Sequence, residues 1–391
     1  MKSSGGEPSI RVLEVVAKAE TPLHVGTGRH YGVVKECRPY IPGSFLRGAF
    51  GTALIKVCCV KPEYIDNHSE CPSREECPYF RLFRDEGNKA SRIIFRHAYP
   101  RHVGCFGGGV YLPAPRNLYT CRSMHTRRYS FEPLETVCEE CKERLEPFRG
   151  YVCSSCGTLT KSPVRFQRIA YTALDRSKGS AAIILHIPGT EPYGTLHSVD
   201  VIPRGFEFQT HVTLSKDVMD LTELVVKVLE TAVPDEGLGG SKSRGLGKVS
   251  LRVKKVSDVT SGDVEARASE LDSENFTVRL LSDAFLKEPL LKPETLLAYA
   301  RRAYTWVYRK GAPSLPDVKL DAWVVSTGVM GGWSLRDGRR RSIRPIVEAG
   351  AVYRYVSTGS EELSKALAAL EYLAVGGFKA HGYGQVRIEH F

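Results

Sequence analysis

The sequence contains no apolar run long enough to cross a membrane, and its first ten residues, MKSSGGEPSI, are polar, unlike a signal peptide. These absences predict a cytoplasmic protein with no membrane partner. Acidic residues are scarcer than basic ones: 44 aspartates and glutamates against 55 lysines and arginines give a net charge of +11. This excess favours polyanionic partners, because each neutralised phosphate releases counterions. Charge-rich compositions also occur without such partners, so charge alone leaves nucleic-acid binding open.

Nucleotide-cofactor signatures are also lacking, although the stretch EGLGGSKSRGLGKV, residues 236–249, is rich in glycine and positive charge. A dinucleotide-binding loop follows a strand and opens a helix, so that the helix N-terminus meets the pyrophosphate. Here a helical pattern comes before the loop and a strand pattern follows it. The GxxxxGK[ST] sequence of a phosphate-binding P-loop is missing as well. Both nucleotide interpretations therefore fail on context.

Cysteine is absent after residue 156, and all eleven cysteines lie between Cys37 and Cys156. Two CxxC pairs with eleven residues between them end this cluster: Cys138, Cys141, Cys153 and Cys156. Two such pairs can complete the tetrahedral thiolate shell that zinc prefers, so we predict one structural zinc ion bound by these four residues. A closed shell leaves no open position for catalysis.

A second group of cysteines is less regular. Cys58, Cys59, Cys71 and Cys77 lie close together in the sequence with His68. They fit either a second metal site or thiols packed in a core, and the sequence does not decide between the two.

Periodicity predicts a strand at residues 10–16 and a helix with Ser44 as its N-cap, whereas residues from about 58 to 162 are loop-rich and basic and form an insertion. The chain repeats one helix–glycine loop–strand unit without a gap: Gly239, Gly240, Arg244, Gly245, Gly247 and Val249 match Gly376, Gly377, His381, Gly382, Gly384 and Val386. Such a unit fits the ferredoxin-like arrangement. We therefore predict an α+β protein of two tandem ferredoxin-like (RRM-like) domains, residues 1–257 and 275–391, with a polar linker at 258–275 and an inserted zinc-ribbon-like segment.

Several segments together resemble a known family. TPLHVGTG, YIPGSFLRGAF, GLGGSKSRGLGKV and GGFKAHGYGQV are similar to the hallmark segments of the CRISPR-associated RAMP (repeat-associated mysterious protein) superfamily. CPYFRLF, RIIFRHAYP, VYLPAPRNLYTC and the duplicated loop further resemble its two-domain subunits from type III effectors, notably subtype III-D. The resemblance extends over most of residues 10–391.

This resemblance implies a non-catalytic subunit that caps a ribonucleoprotein and grips the repeat-derived 5′ handle of the CRISPR RNA. Its implied neighbours are the large polymerase-like subunit and the backbone RAMP subunits, with target RNA nearby. The residues expected to face the RNA are His24, Ser44, Arg47, Gly239, Gly240, Lys242, Arg244, Gly245, Lys379 and His381. Residues 122–131, RSMHTRRYSF, mix basic and aromatic side chains and are a further candidate for contacting single-stranded RNA.

Two enzymatic alternatives remain. Some RAMP relatives cut CRISPR repeats without metal, which requires a general base and a cation; His24, with His30 nearby, and Lys242 are the candidates. A backbone subunit that cuts target RNA would use an acidic loop residue such as Asp175. A zinc ribbon that binds DNA or protein is a third possibility for the insertion alone. The basic run at 336–345 contacts RNA, a protein or only solvent.

Overall fold

The computed structural model describes residues 7–84, 90–172, 174–175, 177–178, 180–181, 183–185, 193–194, 196–334 and 339–390. The N-terminal half begins with β1 (Ile10–Ala19), β2 (Gly26–Tyr31), β3 (Val34–Cys37), α1 (Gly43–Cys58), α2 (Pro78–Phe83), β4 (Ile93–Phe95) and β5 (Tyr99–Pro100). A series of short strands follows: β6 (Tyr111–Pro113), β7 (Leu118–Thr120), β8 (Arg127–Tyr129), β9 (Glu146–Pro147), β10 (Tyr151–Cys153), β11 (Leu159–Thr160), β12 (Gln167–Thr172), β13 (Leu174–Asp175), β14 (Ser180–Ala181), β15 (Ile183–Leu185), β16 (Tyr193–Gly194) and β17 (Leu196–Val201). The half ends with β18 (Glu207–Ser215), α3 (Thr222–Lys227), a π-helical turn (Val228–Ala232), α4 (Val233–Glu236) and β19 (Val249–Val259). The C-terminal half contains α5 (Ser261–Ala268), β20 (Asn275–Leu280), α6 (Pro293–Tyr308), β21 (Val318–Val324), β22 (Thr327–Ser334), β23 (Arg339–Val347), β24 (Val352–Ser357), α7 (Glu361–Leu373) and β25 (Val386–Glu389).

The N-terminal half is built on an antiparallel sheet in the order β19-β1-β18-β4. Apolar side chains of β1 alternate toward one face, and Leu13, Val15 and Ala17 are fully buried there. Helix α1 and the helical segment α3–α4 cover this face and contribute Phe50 and Val225 to the same core. With α1 after the first strand and α3–α4 after the third, the order is that of a ferredoxin-like βαββαβ unit.

The C-terminal half repeats this arrangement. Its sheet has the order β21-β24-β20-β25, with α6 after the first strand and α7 after the third. Numbered by their own occurrence, the core strands of both halves therefore lie in the order 4-1-3-2. The α+β fold of two tandem ferredoxin-like units is the predicted one.

The predicted linker is ordered and contains helix α5. β19 extends to Val259, and Thr260 then caps the helix: its hydroxyl accepts from the N–H of Asp263, whose carboxylate accepts from the N–H of Thr260. This capping box satisfies N–H groups that a helix terminus would leave unpaired. The polar composition that suggested a linker therefore belongs to a capped amphipathic helix that buries Val264 and Ala268.

The cysteine-rich excursion is narrower than the predicted insertion at 58–162. β4 and β5 lie inside that range, yet both pair with β18 and belong to the core sheet. The excursion proper follows β5 and forms two small sheets, β11-β10-β6 and β8-β7-β9. After it, β12 and β17 pair with each other and join β3 and β2 in a separate sheet, which we call the arm. In the described residues no helix is long and apolar enough to span a membrane.

Candidate nucleic-acid interface

The two glycine-rich loops, residues 237–247 (the first loop) and 374–384 (the second loop), have the same backbone. Each has a left-handed residue, a short 3-10 turn and a left-handed glycine: Ser241, Lys242–Arg244 and Gly245 in the first, and Phe378, Lys379–His381 and Gly382 in the second. Near the end of each loop, Gly247 and Gly384 have φ of 85° and 70°, and a Cβ there would lie within 2.3 Å of a backbone oxygen. Only glycine fits such a position. The predicted internal duplication is confirmed.

The first loop packs on the segment that precedes β2. The N–H of Gly240 donates to the carbonyl of His24 at 2.9 Å, and the N–H of Gly247 donates to that of Pro22 at 3.0 Å. A Cβ on Gly239 would lie 2.4 Å from the His24 carbonyl, which explains why the backbone can approach so closely only at glycine. The structure therefore brings together His24 and the glycines of the first loop, as the sequence predicted.

The two cationic side chains of the first loop make different contacts. Lys242 donates from Nζ to the carbonyl of Glu236 at 2.8 Å and so satisfies the end of α4. Arg244 reaches the arm: its guanidinium lies 4.9 Å from the centroid of Tyr171 and 3.1 Å from Nε2 of His197. Tyr171 and His197 stack on each other at 5.6 Å. The exposed Arg244 thus extends an aromatic surface on the arm.

The second loop makes the equivalent backbone contact, in which the N–H of Gly377 donates to the carbonyl of Phe285 at 2.9 Å. Its 3-10 turn, however, packs against the N-terminal half. A Cβ on Gly382 would lie 2.5 Å from Nδ1 of His97, and the carbonyl of His381 lies close to Gly43 at the start of α1. Lys379 directs Nζ toward the ring of Tyr299 at 5.0 Å. The turn that carries Lys379 and His381 therefore packs against the N-terminal half and does not lie beside the first loop, while the Lys379 side chain remains on α6 of its own half.

Ser44 and Arg47 lie at that same end of α1. The predicted N-cap role of Ser44 is wrong, because the helix begins at Gly43 and Pro42 occupies the N-cap position. Arg47 is 4% exposed; it donates to Oγ of Ser91 at 3.1 Å, and its guanidinium lies 4.2 Å from the centroid of Phe83. The 16-residue helix is about 24 Å long. Its far end, where Lys56 contacts Glu236 at 2.5 Å, is the one next to the first loop.

His24 is an interior residue. Only 8% of its surface is exposed, and Nδ1 lies 2.8 Å from the carbonyl of Asp200. Burial lowers the pKa of this imidazole below its ordinary value, although the Asp200 carbonyl opposes the shift. The ring therefore joins the segment before β2 to the arm, beneath the first loop.

A cleft of about 1120 Å³ lies between the N-terminal half, the cysteine-rich excursion and the C-terminal half. Segment 21–28 connects it to the first loop, since His24 contacts Gly240 and Thr27 and Gly28 line the cleft. Its described lining has six basic side chains against three acidic ones: Arg29, Lys35, Arg38, Arg116, Arg149 and Lys161 against Glu36, Asp283 and Glu348. It also has four aromatic ones: Tyr40, Tyr99, Phe148 and Tyr151. The mixture of cations and rings is suited to a single-stranded polyanion with bases.

The charged side chains of the cleft differ between its floor and its rim. Asp283 and Arg38 lie at its floor; burial raises the pKa of the Asp283 carboxyl, while the N–H of Ala349 donates to it at 2.9 Å and opposes the shift. Arg116 forms an ion pair with Glu348 at 2.8 Å, and burial followed by the charge of Arg149 lowers the pKa of its guanidinium. The exposed cations Arg29, Lys35, Arg149 and Lys161 are at the rim. The rim therefore carries four exposed cations and one exposed acid, Glu36, above a floor where cations and acids lie near one another.

The predicted four-cysteine zinc site is wrong, because the structure divides its members between two groups. One consists of His102, Cys105, Cys153 and Cys156, and the other of Cys121, His125, Cys138 and Cys141. Within each group the candidate ligand atoms all lie within 4.8 Å of one another, which suits a tetrahedral ion with three sulfur ligands and one nitrogen. Each CxxC pair lies beside an upstream Cys/His pair, because the antiparallel strands of the two small sheets bring these segments of the chain together.

Each CxxC pair contains one thiol with a lowered pKa and one with a raised pKa. The pKa of Cys138 is lowered to about 6, first by a hydrogen bond from the N–H of Cys141, and that of Cys156 to about 6, first by the hydroxyl of Thr158. Although the N–H of Glu143 opposes the shift, the pKa of Cys141 is raised by burial and by its hydrogen bond with Cys138, and burial raises that of Cys153. The thiolate is the metal-binding form. In the described part of the chain neither group includes Cys58, Cys59, Cys71 or Cys77, and His68 packs against Tyr79 at 4.4 Å.

Sequence reasoning missed the upstream ligands and the cleft. HVGC at 102–105 and CRSMH at 121–125 carry the metal-ligand spacing, and this signal was present in the sequence. The cleft had no local signal, since its lining comes from three separate parts of the chain. The side chains of His30 and Asp175 lie outside the described residues, as do residues 336–338 of the basic run and the side chains of residues 339–341.

Comparison with known proteins gives one family and several solved structures. The model of the RAMP superfamily matches residues 16–250. No curated protein sequence matches the chain. A chain of type III-B Cmr-beta bound to cognate target RNA is 14% identical, with 62% of this chain and 96% of that chain covered and a TM-score of 0.35. Cas6 of Thermus thermophilus is 9% identical, with 98% and 100% covered and a TM-score of 0.40.

The family match spans more than half of the chain and includes the first loop, whose backbone the second loop repeats. The chain belongs to the RAMP superfamily.

Proposed function

We propose that the chain is a non-catalytic RNA-binding subunit of a type III CRISPR effector ribonucleoprotein. In this role it grips the 5′ repeat-derived handle of the CRISPR RNA and contacts the large polymerase-like subunit and the backbone RAMP subunits. The observation that carries the proposal is the basic, aromatic cleft that continues through segment 21–28 into the first loop. Membership of the RAMP superfamily supports it.

The cleft supplies both kinds of contact that single-stranded RNA needs. Exposed cations at the rim, such as Arg29 and Arg149, attract phosphates without regard to sequence. The half-buried ring of Tyr151 in its wall offers a face on which a base stacks. Its volume of about 1120 Å³ is slightly above the range of ~300–1,000 Å³ typical of small-molecule pockets, which is room for a short run of nucleotides.

The proposal includes that the chain does not itself cut RNA. A general base must reach the ribose 2′-hydroxyl within hydrogen-bonding distance. His24, the candidate base, is 8% exposed and directs Nδ1 to the Asp200 carbonyl. The candidate cation, Lys242, is bound to the carbonyl of Glu236. Both side chains support the packing of the first loop rather than a reacting centre.

We also propose zinc as the ion of the two Cys/His groups. Three thiolates and one imidazole form a set that zinc binds in structural sites. In each group the four protein ligands complete a tetrahedral shell and leave no position for a reacting water. The ion would therefore stabilise the fold of the excursion.

The test uses the purified full-length chain without added metal in the reaction. End-labelled CRISPR repeat RNA, mature guide RNA with the 5′ handle and a scrambled RNA are run on native and denaturing gels at low and physiological salt. We expect retarded, uncut RNA, with the handle preferred over the scrambled sequence and affinity falling as salt rises. A discrete cut that His24→Ala abolishes would make the chain a processing nuclease. Absence of retardation at low salt would contradict the proposal.

A matched pair of variants locates the site. Arg29→Ala/Arg149→Ala removes two rim cations, whereas Lys254→Ala/Lys255→Ala removes two exposed cations from β19. We expect the first pair to weaken handle binding about tenfold and to reduce the salt slope by roughly 1.4, at about 0.7 per phosphate contact of a single strand. Equal losses in both pairs would mean non-specific attraction to the whole surface.

A further inference from the structure

The cysteine-rich excursion arises from the N-terminal half but contacts the C-terminal half. The N–H of Arg116 donates to the carbonyl of Gly350 at 2.8 Å, and its guanidinium pairs with Glu348 at 2.8 Å. Arg279 of β20 donates to the carbonyl of Pro113. Farther along, the guanidinium of Arg354 in β24 lies 4.7 Å from the centroid of Phe131. The excursion therefore bridges the two halves.

The two Cys/His groups are nested in the chain. The outer group, from His102 to Cys156, encloses the inner group, from Cys121 to Cys141. The outer group borders strands β6 and β10, where Cys153 pairs with Tyr111, and the same two strands bring Pro113 and Tyr151 into the cleft. The outer group thus lies at the base of one cleft wall.

The inner group lies in a different lobe. Cys121 directly follows β7, and Leu145 directly precedes β9 and is buried against Cys121 and Cys138. The lobe formed by β7, β8 and β9 continues to Phe131, which packs under Arg354. The inner group thus lies in the lobe that docks on the C-terminal sheet through Phe131, whereas the contacts of Pro113 and Arg116 with the C-terminal half come from β6 and the residues after it.

The apolar surface buried within the excursion is too small to stabilise the fold of either lobe by itself. The excursion holds two small clusters of buried apolar side chains: Ala114, Leu118, Phe148 and Leu159 in one, and Cys121, Cys138 and Leu145 in the other. Segments of this size usually need disulfides or metals to fold. The six cysteines of the excursion have free thiols, and all six belong to the two groups.

We infer that the excursion binds two zinc ions in nested Cys₃His sites and acts as a metal-dependent clamp between the two halves. The outer ion fixes the wall of the cleft, and the inner ion fixes the lobe that docks on the C-terminal sheet. The two ions therefore have unequal effects: loss of the outer ion opens the RNA cleft, whereas loss of the inner ion releases the docking lobe. The RNA part of this inference rests on the proposed function.

Metal content tests the sites without reference to RNA. Native mass spectrometry and cobalt substitution are applied to the full-length chain and to Cys105→Ser, Cys121→Ser and the double variant, with Cys58→Ser as a thiol control outside both groups. We expect two ions in the wild type and the control, one in each single variant and none in the double variant. A wild type with a single ion that both single variants retain would restore the one-site arrangement of four cysteines and overturn the inference.

Unequal roles are tested by hydrogen exchange and by handle binding on the same variants, with circular dichroism to verify that the two core sheets remain folded. In Cys105→Ser we expect faster exchange in residues 109–113 and 150–153 and at least tenfold weaker binding of guide RNA with the 5′ handle. In Cys121→Ser we expect faster exchange in residues 117–148 and less than threefold weaker binding. Identical exchange patterns, or unchanged RNA affinity after loss of the outer ion, would overturn the clamp. If the wild type binds no RNA, the proposed function fails, while metal content and exchange still judge the clamp.

Discussion

The two glycine-rich loops share a backbone and an equivalent backbone hydrogen bond to the preceding segment of their own half, but their 3-10 turns have different surroundings. At matched positions Gly245 and Gly382 have φ of 84° and 88°, yet a Cβ on Gly245 would meet nothing within 4 Å, whereas one on Gly382 would lie 2.5 Å from His97. In the first loop Arg244 extends to the arm, and in the second Lys379 folds against Tyr299. Glycine spacing sets the turn, but the neighbouring half of the molecule decides whether the turn is a surface or an interface.

The cationic side chains of the two loops also differ in how deeply they are buried. Burial, followed by the charge of Arg302, lowers the pKa of Lys379 to about 8. Burial in this environment makes the ammonium less favourable than in water, although at a pKa of about 8 the group is still mostly charged at neutral pH. Arg244, in contrast, is exposed. The duplicated unit therefore exposes a cation in its first copy and packs against the other half of the molecule in its second.

The largest expected effect comes from adding one methyl group at the matched glycines. Gly245→Ala introduces only left-handed strain, about 1 kcal/mol, because the space beside it is open. Gly382→Ala adds overlap with His97 and with the carbonyl of Phe95, so we expect a loss of about 3 kcal/mol or more. Urea unfolding of both variants measures the difference. Equal losses would break the comparison, since the second loop would then not be held by the N-terminal half.

The second prediction concerns the loss of stability at acidic pH caused by His97, which lies beneath the second loop. Nδ1 accepts from the N–H of Gly43 at 3.0 Å, and burial followed by the charge of Arg38 lowers the pKa to about 3. Between pH 6.5 and 3 the unfolded chain binds a proton that the folded chain does not, so stability falls as pH falls. We expect a loss of about 2 kcal/mol between pH 6.5 and 4.5.

The measurement compares the wild type with His97→Asn, which does not titrate in this range and retains an acceptor for Gly43. His211, whose pKa burial lowers to about 4, contributes equally to both proteins. The difference between the two urea midpoints as a function of pH therefore isolates His97. Parallel curves would show that the second loop accommodates a charged imidazole.

The smallest effect concerns RNA. Arg244→Ala removes a cation from the first loop, so we expect about fivefold weaker binding of the handle RNA and a salt slope smaller by roughly 0.7. Lys379→Ala removes the half-buried cation of the second loop and should change affinity less than twofold. Salt titrations monitored by fluorescence anisotropy compare the two. A larger loss for Lys379→Ala would reverse the assignment of the loops.

Much of the fold was predictable because its signals are local. The alternation in β1, the helix that follows it and the gap-free repeat of the glycine loops all depend on neighbouring residues. Errors arose where local composition was misleading: Ser44 lies one residue inside its helix, and the polar stretch after Val259 forms a capped helix. β4 and β5 are only three and two residues long, too short to show a period, so they were assigned to the insertion.

The candidate site was predictable only in part, for a similar reason. His24 and the first loop were grouped correctly, because one segment matches a family motif and packs directly on the other. Ser44, Arg47, Lys379 and His381 were also expected to face the RNA, and that expectation stays a prediction, but they do not lie beside the first loop. These residues lie near the opposite end of α1, and sequence spacing does not show which end of a helix faces which loop.

The backbone of both loops and the chemistry available to the molecule follow from the amino-acid sequence alone. Glycine at positions of positive φ fixes a turn wherever it occurs, and thiols, imidazoles and cations bring their reactivity with them. Only the tertiary structure decided which of these groups meet. His102 joins Cys156 across 54 positions, and Arg38 approaches Asp283 across the two halves. Such pairings depend on how separate sheets pack, which is a property of the whole chain and of no single segment.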